Sequence, residues 1–181
     1  MLDRDAIVGA FARLAELLRE RGVEGEVCLL GGTVMVLAFR SRSATKDVHA
    51  IFQPAALVRE LARTVATARE LPLDLLNDGA KGFISTRHET TAGDLPQFEG
   101  LRLTAPTPEY MLAMKCMSSR IGAGPGDPGD VADIAYLIAH LGIRSATEAL
   151  RIVTRYYPED RVPPRAVYLL EDLFAARERR P

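Results

Sequence analysis

The sequence lacks the features that mark secreted, membrane-spanning and strongly nucleic-acid-binding proteins. It has 2 cysteines, no tryptophan and a formal net charge of −1 in 181 residues. Two cysteines do not make a disulfide framework, so Cys28 and Cys116 are expected to be buried, reduced thiols of a cytoplasmic protein. The small net charge argues against broad electrostatic binding to nucleic acid or membrane, although it leaves room for a local basic patch. No apolar run is long enough to cross a bilayer, and the charged N-terminus is unlike a secretory signal.

The composition that is present, 48% hydrophobic and 26% charged, is that of a globular protein with a real core. Strand-like and helical patterns alternate at first, and from Thr107 onward the pattern is helical. We therefore predict an α+β fold: an α/β lobe with a mixed sheet, residues 1–104, followed by a C-terminal helical lobe, residues 105–181. A cleft between the lobes is the predicted place of the functional site.

In the first lobe, the spacing of apolar residues predicts an N-terminal helix that buries one face. That face consists of Ile7, Phe11, Leu14 and Leu18. A second helix is predicted to begin at Pro54. The segment Leu73–Leu76 is ambiguous and could form a third strand, with a turn at Asp78-Gly79. Leu101–Leu103 predicts one more strand.

In the second lobe, capping signals mark the starts of the helices. They are the Thr-Pro pair at 107–108, the Asp-Pro pair at 127–128 and a Ser-x-x-Glu capping box at 145–148. The helix after Asp127 is predicted to bury one face. That face consists of Val131, Ile134, Leu137, Ile138 and Leu141. The last helix is predicted to begin at Pro163-Pro164.

The most informative stretch is a glycine pair, Gly31-Gly32, between two predicted strands. The apolar run Val27–Leu30 predicts a buried strand, and the run Val48–Phe52 predicts its neighbour. The glycine pair makes a sharp turn into a short helix. Because glycine has no Cβ, the backbone N–H groups of this turn can approach a triphosphate closely, near a helix N-terminus that favours anions. An acid on the next strand, Asp47, can then hold a divalent metal ion against the phosphates.

This arrangement resembles the nucleotidyltransferase superfamily related to DNA polymerase β, whose signature is a glycine pair followed by an acid-x-acid strand. The first motif is similar to that of AbiEii-type and related small bacterial nucleotidyltransferases. It comprises Gly31, Gly32, Thr33, Arg42, Thr45 and Asp47. A second motif, in which a lysine on one helix faces acids on the next, also looks like that group. It comprises Lys115, Arg120, Asp127, Asp130 and Asp133.

The resemblance implies transfer of a nucleoside monophosphate from an NTP to an RNA or protein acceptor, with Mg²⁺ or Mn²⁺ as cofactor. It implies a place in a bacterial toxin–antitoxin pair, with the cognate antitoxin or toxin as partner. The implied nucleotide-binding residues are Gly31, Gly32, Thr33, Arg42, Thr45, Lys115 and Asp130. The implied catalytic residues are Asp47, Lys115 and Asp133.

The chain departs from the superfamily pattern at the second acid, where it has His49. Residues i and i+2 of a strand share a face, so Asp47 and His49 still have the spacing of a shared metal site. Imidazole, however, is a poor ligand for Mg²⁺. Three alternatives follow: a softer metal such as Mn²⁺, compensation by another acid, for which Asp74 is the nearest candidate ligand, or loss of transfer activity. In the last case the protein would be a degenerate member that binds a nucleotide or a partner protein.

Several of these residues also have purely structural explanations. The glycine pair can be a tight strand-to-helix turn. The stem of Lys115 can cover apolar surface while its ammonium reaches water. Asp130 can stabilise the helix dipole if Asp127 is the N-cap, whereas capping does not explain Asp133. The run Gly122–Gly126 lacks the Gly-Lys-Ser/Thr of a phosphate loop, which favours a flexible linker.

Overall fold

The fold is α+β, as predicted, with a mixed sheet first and helices at the C-terminus. The computed structural model describes residues 1–119 and 129–178. Two compact units divide the chain: Met1–Gly82 with Thr90–Pro106 form the first, and the described residues of Phe83–Glu89 and of Thr107–Pro181 form the second. The boundary predicted after residue 104 is two residues from Pro106, where the chain leaves the first unit for the last time. That the earlier segment Phe83–Glu89 belongs to the helical unit was not predicted.

The first unit contains three helices and seven short strands. The helices are α1 (Arg4–Glu20), α2 (Gly32–Leu37) and α3 (Ala55–Ala68). The strands are β1 (Leu2–Asp3), β2 (Gly25–Leu30), β3 (Ala44–Thr45), β4 (Val48–Gln53), β5 (Leu76–Asn77), β6 (Thr90–Thr91) and β7 (Leu101–Pro106). Five of them form one sheet in the order β5-β4-β2-β7-β6, and β1 pairs with β3 separately.

The central strands pair as the sequence predicted. β2 runs antiparallel to β4, with Leu30 opposite His49, and parallel to β7. Along β4 the side chains of Val48, Ala50 and Phe52 are buried, while the intervening His49 and Ile51 are half-buried. This alternation follows from the two-residue period of a strand, and it keeps His49 out of the apolar core.

The N-terminal helix is stabilised by one apolar face and a side-chain cap. The Ala6 N–H donates to the Asp3 carboxylate at 2.8 Å, which satisfies a donor that the first turn of a helix leaves open. The predicted face of α1 is buried, which confirms the periodicity argument. Its members Ile7, Phe11, Leu14 and Leu18 are each at most 4% exposed.

The ambiguous segment before Asp78 is mostly turn. Leu73 is 64% exposed, and the strand that follows, β5, has only two residues. β5 runs parallel to β4 and places Asn77 opposite His49. The predicted strand over Leu73–Leu76 is therefore shifted towards the C-terminus and shortened, because Pro72 and the turn after it delay the extended backbone.

The second unit contains four described helices. They are α4 (Pro108–Ser118), α5 (Gly129–His140), α6 (Ala146–Tyr156) and α7 (Pro164–Glu178). The N-cap of α6 is confirmed: the Glu148 N–H donates to the Ser145 hydroxyl at 3.2 Å. The Glu148 carboxylate accepts from the N–H of Arg144, the residue before the cap, at 2.8 Å, so the return bond of the predicted capping box is displaced by one residue. The proposed cap at Asp127-Pro128, the linker Gly122–Gly126 and Arg120 lie outside the described residues.

The predicted apolar face of α5 is only partly correct. Ile134, Leu137 and Ile138 are at most 2% exposed, as expected. Val131, in the first turn of the helix, is however 42% exposed. Leu141 follows the last helical residue and is half-buried.

The segment Phe83–Glu89 belongs to the helical unit because tyrosines of that unit bind its backbone. The Ser85 N–H donates to the hydroxyl of the fully buried Tyr110 at 2.8 Å. The Tyr157 hydroxyl donates to the Phe83 carbonyl. Such side-chain to backbone bonds satisfy a loop that has no helix or strand partner of its own.

Of the two cysteines that were expected to be buried, Cys116 is buried and Cys28 is only half-buried. Burial raises the pKa of the Cys116 thiol to about 12, so that this thiol stays protonated and unreactive. Cys28 is half-buried, and burial raises the pKa of its thiol as well. In neither described range does the structure contain a helix of the length and apolarity that crossing a membrane requires.

Candidate nucleotide and metal site

The glycine pair has a backbone conformation and a packing environment that both require glycine. Gly31 has φ 63° and ψ −138°, a region that side chains with a Cβ rarely adopt. A Cβ on Gly32 would lie 2.6 Å from the Thr45 hydroxyl oxygen and 3.3 Å from the Thr45 Cβ. The tight-turn explanation is therefore correct for Gly31, and close approach of a buried threonine adds a second constraint at Gly32.

Two buried threonines hold the chain just before β4. The hydroxyls of Thr33 and Thr45 donate to the backbone carbonyl of Asp47, at 3.1 and 3.3 Å. Both residues are at most 6% exposed. In the structure they position Asp47, and their direct contact with a nucleotide stays a prediction.

Asp47, His49 and Asn77 form a polar cluster at the edge where β4 begins. The Asn77 amide donates to Asp47 Oδ2 at 3.0 Å, and Asn77 Oδ1 lies 2.6 Å from His49 Nδ1. His49 Nε2 lies 3.5 Å from Asp47 Oδ2, and the two side chains are 35% and 36% exposed. The pair predicted from the i, i+2 spacing is therefore together and open to solvent.

Asn77 was missed by the sequence reasoning, which named Asp74 instead. Asp74 is exposed and lies in the turn before β5. Across the residues that the structure describes, no three His, Cys, Asp or Glu side chains form a group that could hold a metal ion, so Asp74 does not join Asp47 and His49. One feature of the sequence could have indicated Asn77, because it directly follows the apolar pair Leu75-Leu76. If that pair formed a strand parallel to β4, Asn77 would lie beside His49, as it does in the structure.

Arg42 lies at the glycine turn, as the first motif implied. Its Nη1 atom is 3.8 Å from the position that a Cβ on Gly32 would occupy, and the side chain is half-buried. A guanidinium at this place can donate two hydrogen bonds to a phosphate or a carboxylate. The turn, Arg42 and the Asp47–His49 pair all belong to the first unit.

The described residues of the second motif, Lys115, Asp130 and Asp133, form a largely buried ion-pair cluster within the helical unit. Lys115 Nζ lies 2.9 Å from Asp130 Oδ1 and 2.6 Å from Asp133 Oδ2. The side chains of Lys115 and Asp133 are 7% and 2% exposed, while Asp130 is 25% exposed. The ammonium of Lys115 therefore pairs with two carboxylates in a largely buried position, which argues against the snorkelling explanation. Asp130 is in the first turn of α5, so its carboxylate both interacts favourably with the helix dipole and forms the ion pair with Lys115.

The predicted site residues thus form two groups, one in each unit. The structure brings Gly31, Gly32, Arg42, Asp47 and His49 together in the first unit. It brings Lys115, Asp130 and Asp133 together in the second. That both groups share one pocket stays a prediction.

Comparison of the chain with protein-family models, with curated proteins and with solved structures finds no match. The resemblance to the nucleotidyltransferase superfamily therefore stays a prediction from the two sequence motifs.

The ligand atoms at Asp47 and His49 limit which metal ion can bind there. One carboxylate oxygen and one imidazole nitrogen face the same space. Mg²⁺ strongly prefers oxygen ligands, whereas imidazole suits transition-metal ions such as Zn²⁺ and Co²⁺ and binds Mn²⁺ less tightly. The Asp47–His49 pair therefore fits a divalent transition-metal ion better than Mg²⁺, with water or phosphate oxygens as the remaining ligands.

Replacing Gly32 by alanine is expected to lower the free energy of unfolding by about 1–3 kcal/mol, because the new Cβ would overlap the buried Thr45 side chain. Gly82→Ala is the matched control, since nothing lies within 4 Å of a Cβ at that position. We expect it to change stability by less than about 0.5 kcal/mol. Urea unfolding midpoints measure both effects. In the double variant Gly32→Ala/Thr45→Ala the loss should be smaller than the sum of the single losses, and strict additivity would contradict the overlap.

Proposed function

We propose that this chain is a cytoplasmic nucleotidyltransferase-like protein that binds an NTP and a divalent metal ion at the Gly31-Gly32 turn and the Asp47–His49 pair. One observation supports this most strongly. β2 and β4 are antiparallel with Leu30 opposite His49, so the turn that ends β2 and the ligand pair that begins β4 lie at the same edge of the sheet. His49 Cδ2 is 3.5 Å from where a Cβ on Gly31 would be.

Each group at this edge has a role in the proposed binding. Backbone N–H groups of the glycine turn and the Arg42 guanidinium bind phosphate oxygens, since both donate hydrogen bonds and neither carries a negative charge. The Asp47 carboxylate and the His49 imidazole hold the metal ion. When bound, that ion neutralises phosphate charge and makes an acceptor hydroxyl more acidic.

For the reaction we propose transfer of the nucleoside monophosphate to a hydroxyl of an RNA or protein acceptor. The acceptor oxygen forms a bond to the α-phosphorus, the bond to the pyrophosphate leaving group breaks, and the hydroxyl proton is released to solvent. Membership of a toxin–antitoxin pair, with a cognate protein partner, belongs to this proposal because the same motifs imply it.

A second candidate function is nucleotide or partner binding without transfer. The observation that favours it is the depleted ligand set: in the described part of the chain no third acid or histidine joins Asp47 and His49. Asp47 Oδ2 also already accepts a hydrogen bond from Asn77. A metal ion held by fewer protein ligands is bound more weakly and placed less firmly, which weakens catalysis more than binding because the reaction depends on the exact position of the ion.

The two candidates are separated by measuring binding and transfer on the same protein. We expect the melting temperature of the full chain to rise with at least one of the four NTPs in the presence of Mn²⁺, because a ligand that binds the native state stabilises it by about 2.7 kcal/mol at a hundred times its Kd. Asp47→Asn, which removes the charge and keeps the shape, should abolish the shift. Lys46→Gln is the neighbouring control at an exposed position and should keep it.

Transfer is then measured with α-phosphate-labelled NTP and a mixture of total bacterial RNA and protein. Label on a macromolecule supports the nucleotidyltransferase, and its loss in Asp47→Asn assigns it to this site. Binding without label supports the second candidate. If no NTP shifts the melting temperature with either Mg²⁺ or Mn²⁺, nucleotide transfer and nucleotide binding are both wrong, and only partner binding is left of the second candidate.

A further inference from the structure

The amide of Asn77 has one orientation that its neighbours allow. The backbone N–H of Gly79 donates to Asn77 Oδ1 at 3.1 Å. A backbone N–H can only donate, so the atom that faces it is the carbonyl oxygen. Asn77 Nδ2 then faces Asp47 Oδ2 at 3.0 Å, and an ionised carboxylate can only accept. The contacts of Oδ1 and of Nδ2 therefore both require the same orientation of the Asn77 amide.

This orientation determines where His49 carries its proton. Asn77 Oδ1 lies 2.6 Å from His49 Nδ1, and a carbonyl oxygen can only accept, so Nδ1 carries the hydrogen. In a neutral imidazole the other nitrogen, Nε2, then has its lone pair available. Histidines that bind metal ions almost always donate their second ring N–H in this way, which fixes the ring and raises the basicity of the ligand nitrogen.

The available nitrogen and the neighbouring carboxylate are spaced as two ligands of one ion. His49 Nε2 lies 3.5 Å from Asp47 Oδ2. Ligands about 2.1 Å from a common ion are about 3.0 Å apart at a right angle and about 3.4 Å apart at the tetrahedral angle. The ring is further confined by Gly31 and Gly79, at each of which a Cβ would lie 3.5 Å from a ring carbon.

We propose that Asn77 is a positioning residue that makes Asp47 and His49 a two-ligand site for a transition-metal ion such as Co²⁺, Zn²⁺ or Mn²⁺ in preference to Mg²⁺. Water or nucleotide phosphate oxygens complete the coordination. This selectivity rests on the proposed function, because a metal–nucleotide complex is the ligand that the same edge of the sheet would bind. Its physical basis is the imidazole, which binds Co²⁺ and Zn²⁺ more tightly than Mn²⁺ and scarcely binds Mg²⁺.

The test measures metal binding to the full chain without nucleotide, so that it does not depend on any transfer activity. Co²⁺ is titrated while its visible absorption is recorded, and calorimetry compares Co²⁺ with Mg²⁺. We expect Co²⁺ to bind at least tenfold more tightly than Mg²⁺ and its spectrum to report a nitrogen ligand. His49→Ala should abolish this signal. His140→Ala, a control at an exposed histidine of α5, should leave it unchanged.

Variants of Asn77 separate positioning from folding. Asn77→Ala removes the acceptor for Nδ1–H and should weaken Co²⁺ binding about 10- to 100-fold. Asn77→Leu keeps a similar side-chain volume without hydrogen-bonding groups and should weaken Co²⁺ binding equally, while the urea unfolding midpoints of both variants show that the chain still folds. Equal Co²⁺ affinity in the wild type and Asn77→Ala, or Mg²⁺ binding as tight as Co²⁺ binding, would overturn the proposal. If the protein binds NTP with Mg²⁺ but has no Co²⁺ site, this inference is wrong and the proposed function is kept. If it has a Co²⁺ site but binds no NTP, this inference is kept and the proposed function is wrong.

Discussion

Replacing Lys115 by alanine is expected to destabilise the protein by about 3–5 kcal/mol, because it leaves a buried carboxylate without its counter-charge. Asp133 is 2% exposed, and the Lys115 ammonium lies 2.6 Å from its Oδ2 atom. The measurement is the urea unfolding midpoint at neutral pH. Lys81→Ala is the matched control, since Lys81 makes an equally short ion pair with Asp78 at 2.5 Å but is 55% exposed. Solvent screens that pair, so the control should unfold almost as the wild type does.

A double variant tests whether the cluster serves folding, nucleotide binding or both. Lys115→Met/Asp133→Leu replaces the charges with apolar side chains of similar size, and such replacements commonly recover the stability that the single change loses. If the recovered protein still binds NTP, Lys115 has a structural role within the helical unit. If it folds but no longer binds NTP, the nucleotide-binding role implied by the second motif gains support. An Lys115→Ala protein as stable as the wild type would contradict the buried pair.

Replacing His49 by aspartate is expected to raise Mg²⁺-dependent NTP affinity about tenfold or more, which corresponds to about 1.4 kcal/mol. The substitution supplies a second hard oxygen ligand two residues after Asp47, which lies in the bend just before β4 and whose carboxylate is 3.5 Å from the His49 ring. Calorimetry compares the wild type, His49→Asp and Asp47→Ala/His49→Asp. The double variant should lose the gain, because one remaining carboxylate cannot hold the ion in place.

The same substitution should also change which metal ion is preferred. With two carboxylates and no imidazole, the preference for Co²⁺ over Mg²⁺ expected for the wild type should shrink. If His49→Asp gains nothing with Mg²⁺ or Mn²⁺, this edge of the sheet no longer serves metal–nucleotide chemistry. The binding function without transfer would then be the better description of the protein.

Local pattern was sufficient to predict most of the framework around the site. The apolar run before Gly31 and the alternating run after Asp47 predicted β2 and β4, and the i, i+2 spacing predicted that Asp47 and His49 share a face. These features depend on side-chain alternation along a single strand, which is present in the sequence itself. The helical face of α1 was predictable for the same reason, since its period needs no partner to be recognised.

Contacts between distant segments were not predictable in the same way. Asn77 reaches Asp47 and His49 only because β5 pairs with β4, and a two-residue strand carries almost no periodic signal. Its acidic neighbour Asp74 was the more obvious candidate by residue type, yet the turn after Pro72 leaves it exposed. Residue type alone favoured Asp74 over Asn77, because it contains no information about how β5 is aligned with β4.

By itself, the sequence determined the α+β order of elements, the glycine turn and the acid–histidine spacing, because each depends on residues close together in the chain. The tertiary structure decided the rest. Burial made Lys115 and Asp133 an enclosed ion pair rather than a surface one. Strand register supplied Asn77 as the partner of His49, and packing against Thr45 left too little room for a Cβ at Gly32. The physical reason is that burial, register and close approach depend on segments that are far apart in sequence, and these meet only when the chain has folded.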